Sequence, residues 1–167
     1  QFLNVLIYMR IYINLVFTKE LYRMNNYFGV MQGRLLPKYK GRYQAHPKNY
    51  WSEEFFIAKE LKLDCIEFIF DFDGFSENPL FTILGVNSIK EVIAKTGVKV
   101  VSVCADYFME RPIHNKKKSM RKDSLDMMKR LIDNTSLLGV KDIVLPCVDN
   151  SSLINSESYN NFEEEIF

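Results

Sequence analysis

The chain has 167 residues, 47% hydrophobic and 26% charged, with a formal net charge of +1 at pH 7. That length can bury one sizeable core, and the near-neutral balance supplies no field that would draw the chain to nucleic acid or an anionic membrane. Cys65, Cys104 and Cys147 are odd in number and share no ligand-type spacing, which argues against a disulfide framework or a cysteine metal site and for reduced thiols in a cytoplasmic protein.

Residues 1–17 are mostly apolar but are interrupted by Arg10. A membrane span needs ~20 apolar residues, and a signal peptide needs a basic start and a small-residue cleavage site. Neither pattern is met, and Met24 stands just ahead of the first strand. Residues 1–23 are therefore expected to be an apolar leader with no membrane role, and 24–167 the domain. The rival readings are an extra docked helix or strand, or a membrane anchor.

From residue 27 the pattern alternates. A strand at 27–31 leads into Gln32-Gly33-Arg34 and a long polar loop to residue 50, a length that is often functional. Residues 51–63 read as a helix, with Ser52 as cap, Glu53 and Glu54 on the positive end, and Phe55, Ala58 and Leu61 or Lys62 on one stripe. A strand at 65–70 is followed by a loop to residue 84. Ser88 to Glu91 fits a capping box opening a helix that Gly97 closes. A third strand, 98–105, precedes a loop over 107–118. The longest helix, 119–138, carries Leu125, Met128, Ile132 and Thr135 on one face and stops at Gly139. A fourth strand at 143–148 and a helix from 157 complete the pattern.

The strands echo one another. Gly97-Val-Lys-Val-Val-Ser-Val-Cys-Ala-Asp106 recurs as Gly139-Val-Lys-Asp-Ile-Val-Leu-Pro-Cys-Val-Asp149 and, more loosely, as Leu63-Asp-Cys-Ile-Glu-Phe-Ile-Phe-Asp71. Short apolar runs rich in β-branched residues, each following a helix and ending on a carboxylate, are the signature of a parallel α/β sheet. A doubly wound sheet would also expect a glycine-rich phosphate turn after an early strand, and Gln32-Gly33-Arg34 is too short for that. The fold class is thus α/β: a partial (β/α)8 TIM barrel of about four βα units, half of a fold that takes ~250 residues.

Strand alternation sorts the faces. Ser102, Cys104 and Asp106 share one face of the third strand; Val101, Val103 and Ala105 share the other, which belongs under the helices. Glu67 is the most informative residue, because a carboxylate within Ile-Glu-Phe-Ile-Phe fits poorly against an apolar helix layer and belongs in a polar interior. Gln32 and Arg34 fall at the carboxyl end of the first strand. Asp71, Asp106 and Asp149 fall just past strand ends, where Asp is also a common turn former. The candidate substrate-binding set is Gln32, Arg34, Glu67, Asp106 and Asp149. Lys116, Lys117, Lys118, Arg121 and Lys122 read as a solvated charged face that could also meet a phosphate. His46 and His114, each alone on a loop, read as surface residues.

Phe28-Gly-Val-Met-Gln-Gly-Arg-Leu35, with Cys65 to Asp71 and Val101 to Met109, resembles the sugar phosphate isomerase/epimerase family, which has the xylose isomerase-like TIM barrel. The likeness runs from about Met24 to the C-terminus and covers four βα units. It implies metal-assisted proton transfer next to the carbonyl of a sugar or sugar phosphate, with Glu67 in the pocket. It also implies a divalent metal whose ligands belong to later strands, beyond this chain. The expectation is therefore the N-terminal half of an isomerase or epimerase, completed by a second half-barrel or by homo-oligomerisation. The alternatives are a non-catalytic sugar-binding or assembly module, and an apurinic-site endonuclease; the last would need histidine zinc ligands and a basic groove.

Overall fold

The structure is a computed structural model that describes residues 27–166. The leader assigned to 1–23 lies outside the described residues. Four strands, β1 (Gly29–Met31), β2 (Cys65–Ile69), β3 (Lys99–Cys104) and β4 (Asp142–Val144), form one parallel sheet in chain order. Between and after them run α1 (Glu53–Glu60), α2 (Ile83–Thr96), α3 (Tyr107–Glu110), α4 (Lys118–Ser136) and α5 (Ser156–Ile166). This is a βα repeat with every crossover helical, as parallel neighbours require.

The helices cover one face of the sheet. Ile66, Phe68, Val100, Val103 and Ala105 point into a core shared with Phe55 and Ala58 of α1, Ile89 of α2 and Met128 and Leu131 of α4. These strand residues are β-branched or aromatic, the types that fill a pleated surface. Val101 is not among them. The pairing slips between Ile66 and Glu67, so that Ile66 opposes Val100 while Glu67 opposes Ser102. This bulge takes Val101 out of the expected alternation and keeps Val103 in the core.

Several boundaries differ from the sequence reading. The capping box at Ser88 is not used; α2 begins at Ile83, where the Thr82 hydroxyl accepts from Gly85 N–H at 3.1 Å. Gly85 sits tight against the backbone of Pro79, so this early start depends on a residue with no side chain. Ser52 makes no side-chain cap. Residues 107–110 form a short helix rather than loop. β4 stops at Val144 instead of running to 148, because Pro146 has no N–H to continue a ladder. Gly97 ends α2 with φ of 78°, as expected of a left-handed cap. On α4 the buried stripe is Arg121, Ser124, Met128, Leu131 and Thr135, and Ile132 lies off it, half exposed.

Both histidines are buried, against expectation. The basic cluster is not wholly solvated either: Arg121 Nε meets Glu165 Oε1 at 3.1 Å in a mostly buried ion pair that ties α4 to α5, and Lys116 pairs with Glu157. Cys65, Cys104 and Cys147 are free thiols. Among the described residues no helix is long and apolar enough to cross a membrane.

Candidate active site

The sheet face away from the helices is polar at its centre. Glu67 and Ser102 are register partners on neighbouring strands, and the Ser102 hydroxyl donates to Glu67 Oε1 at 3.0 Å. Both are only partly buried. Glu67 therefore avoids the desolvation that burial among the core phenylalanines would impose. One step toward the carboxyl end, the Cys104 thiol donates to Asp106 Oδ1 at 3.1 Å. Burial, followed by the nearby charges of Asp106, Glu67 and Asp71, pushes the Cys104 thiol well above its ordinary range. It stays a neutral donor.

The loop after β1 closes over that end. Gln44 Nε2 donates to the other Asp106 oxygen, Oδ2, at 3.1 Å. Behind it, His46 N–H donates to Asp71 Oδ2 at 2.7 Å. Asp71 is held above the ordinary carboxylate range chiefly by burial and further by the charges of Asp106 and Asp73, against the opposing pull of the His46 N–H and Arg42.

A buried polar layer holds this loop in place. Gln32 Oε1 accepts from Ile69 N–H at 3.1 Å and contacts His46 Nδ1 at 3.0 Å. Because that oxygen can only accept, Nδ1 carries the ring proton. Burial drives the His46 pKa down to about 3, so the imidazole, packed on Phe68 with ring centroids 5.3 Å apart, is neutral. Glu54, fully buried, accepts from Gly33 N–H at 2.8 Å and Leu35 N–H at 3.0 Å. Desolvation raises its pKa and these backbone donors counter it. Gly33 has φ of 85°, and a Cβ there would run into the carbonyl oxygens of Tyr43 and Ala45. Only glycine lets the strand end and the returning loop touch.

The expected site residues thus occupy different places. Glu67 and Asp106 stand at the polar face with Ser102. Gln32 is completely buried beneath the loop. Arg34 is exposed on the turn after β1. Asp149 is exposed, opens a short 3-10 turn with φ of 50°, and lies well beyond the end of β4. It is not positioned as Asp71 and Asp106 are, because β4 stops early.

Sequence reasoning missed Gln44, for which no periodic signal exists in a loop, and the buried role of Glu54. Its place one turn before Ala58 on the core side of α1 was the available clue. Among the described residues no three His, Cys, Asp or Glu side chains converge to hold a metal ion. The divalent metal implied by the family resemblance therefore has no complete ligand set here. The two histidines, buried on separate loops, do not form the cluster an apurinic-site endonuclease would need.

The architecture is that of a parallel βα-repeat α/β protein with polar side chains gathered at the carboxyl end of its strands. No protein-family model matches the chain, and no curated protein sequence does. Among solved structures it is similar to the apo form of the 3-keto-D-glucoside 4-epimerase YcjR from E. coli, with a TM-score of 0.57 at 18% identity over 82% of this chain. The chain spans about half of that epimerase, 48% of its length. The likeness shows a shared fold.

Proposed function

We propose that the carboxyl-end face of the sheet binds a sugar or sugar phosphate and belongs to a sugar isomerase- or epimerase-like site in a cytoplasmic protein. The observation that carries this reading is the Ser102–Glu67 pair on the open, polar face. It leaves the remaining lone pairs of Glu67 to accept from sugar hydroxyls. Asp106, oriented by Gln44 and Cys104, supplies the second acceptor. Arg34 and Asp149 are rim groups, Arg34 suited to a phosphate, while Gln32 acts from below by fixing the loop. Within this set we assign to Glu67 the exchange of a proton at a carbon next to a carbonyl, work that suits a carboxylate. The fold shared with a sugar epimerase supports the same substrate class.

A second reading is a binding module without turnover. In it Glu67 and Asp106 accept from sugar hydroxyls without moving a proton. Saturation-transfer NMR against aldoses, ketoses and their phosphates tests both readings at once. Binding that Glu67→Gln abolishes supports the sugar site, and failure of every sugar to bind refutes it. Deuterium uptake from solvent next to the carbonyl of a bound sugar marks turnover, and binding without it selects the module.

A further inference from the structure

Asp71 stands where the loop after β1 meets the polar face, and nothing above gives it a task. The pairing of Glu67 with Ser102 and of Ile69 with Cys104 continues past the strand ends, where Phe70 N–H donates to the Cys104 carbonyl at 2.9 Å and Tyr107 N–H to the Phe70 carbonyl at 2.8 Å. Asp71 and Asp106 therefore follow on neighbouring segments beyond Ile69 and Cys104, and alternation puts them on the face that carries Glu67. Each holds the same short piece of the loop. Asp71 Oδ2 accepts from His46 N–H at 2.7 Å, and Asp106 Oδ2 accepts from Gln44 Nε2 at 3.1 Å. The two holds differ in kind. Asp71 is 7% exposed and His46 5%, so the described residues alone enclose their bond, whereas Gln44 is exposed. A bond to a carboxylate kept from water is strong and directional, while an exposed amide can exchange its partner for water.

We propose that Asp71 is a positioning residue for Asp106: by fixing the backbone of His46 it places Gln44, two residues earlier, where its amide orients the Asp106 carboxylate. Ala45, between them, is fully buried, so this short link has no room to swing. The other holds on the loop do different work. Gln32 grips the His46 ring where it packs on Phe68 of the core, and Glu54 fixes the turn at Gly33 and Leu35. Asp71 ties the loop from the face that Asp106 shares. The role rests on the sugar reading, in which Asp106 accepts from a sugar hydroxyl, but the placing of Gln44 can be followed with no sugar present.

The NMR signals of the Gln44 side-chain amide, assigned with Gln44→Ala, are the first readout. Asp71→Leu removes the acceptor and is expected to move these signals to the positions of a free glutamine side chain. Asp71→Asn retains a carbonyl oxygen for the His46 N–H and is expected to keep the parental signals. Where Asp71→Leu fails to fold, Asp71→Ser, too short to reach that N–H, takes its place. Sugar affinity of the folded proteins is the second readout. Asp71→Leu and Gln44→Ala are each expected to weaken binding at least about tenfold, the effect of a misplaced group. The double variant should bind no worse than the weaker single variant, because both break one link. Gln44 signals unmoved by Asp71→Leu, equal displacement by Asp71→Asn, or a double variant that multiplies the two losses overturns the proposal. So does a loss confined to urea stability, with signals and affinity unchanged. Failure of every sugar to bind refutes the sugar reading, and the amide signals then decide by themselves whether Asp71 places Gln44.

Discussion

Ser102 donates its hydroxyl proton to Glu67 across two adjacent parallel strands, at 3.0 Å, and the register slip beside Glu67 brings the two opposite each other. Without the bulge, Val101 would oppose Glu67 and the carboxylate would lose a hydroxyl partner for a methyl-bearing one. Glu67→Gln keeps the shape and one acceptor while removing the charge. It is expected to leave stability within about 1 kcal/mol of the parent, because the side chain is only half-buried. Ligand affinity should fall by at least about tenfold, the loss of a charge-assisted hydrogen bond. Urea unfolding and sugar titration read the two separately.

Glu54 is a fully buried acceptor for Gly33 and Leu35 N–H. Glu54→Ala leaves those donors in a dry pocket and opens a cavity, so a cost of about 3 kcal/mol is expected. Glu54→Gln turns an amide toward N–H groups in place of an oxygen and should recover only part. Urea denaturation midpoints check the order, parent above Gln above Ala. Equal stability of Ala and parent would mean that the turn after β1 does not depend on this carboxylate.

How much of this could be read from residues alone depended on whether the signal was periodic. The order of strands and helices was legible because β-branched runs and amphipathic stripes repeat. Glu67 was legible because a charge interrupts one such run. The third strand's bulge was not, since Val100, Val101 and Val103 are chemically alike and only the pairing with β2 separates them. The burial of His46 was hidden for a different reason: a loop residue's environment is set by what the loop folds onto, here Phe68, Gln32 and Asp71. Arg121 looked like one more cation in a basic run until Glu165, far along the chain, came to meet it.

Two glycines with similar backbone angles should respond differently. Gly33 and Gly41 have φ of 85° and 79°, but a Cβ at Gly33 strikes two carbonyl oxygens whereas one at Gly41 meets nothing within 4 Å. Gly41→Ala is expected to cost about 1 kcal/mol, the left-handed penalty alone. Gly33→Ala adds a backbone clash and should cost more than about 2 kcal/mol, while shifting the NMR signals of the Gln44 side-chain amide. Equal melting temperatures for the two variants would contradict the close approach of Gly33 to Tyr43 and Ala45.

The neutral His46 makes stability depend on pH with a definite sign. Its pKa falls from the ordinary value of 6.5 to about 3 on folding, so between those values the unfolded chain binds a proton that the folded chain refuses. Stability from this residue is therefore complete above about pH 6.5 and is lost as pH falls toward 3, with a slope of up to ~1.4 kcal/mol per pH unit. Glu54 and Asp71, raised by burial, act in the opposite sense, gaining from protonation at lower pH. His114, whose pKa burial also lowers, acts in the same sense as His46, so the loss of stability as pH falls from 6.5 to about 5 belongs to both imidazoles. His46→Phe retains the aromatic packing on Phe68 and removes the titration. Its unfolding free energy should be flatter across this interval, although lower at pH 7 because Gln32 Oε1 loses the ring N–H. Urea titrations at pH 7, 6 and 5 measure the slope, and parallel pH profiles for the two proteins would show that the proton is taken up elsewhere.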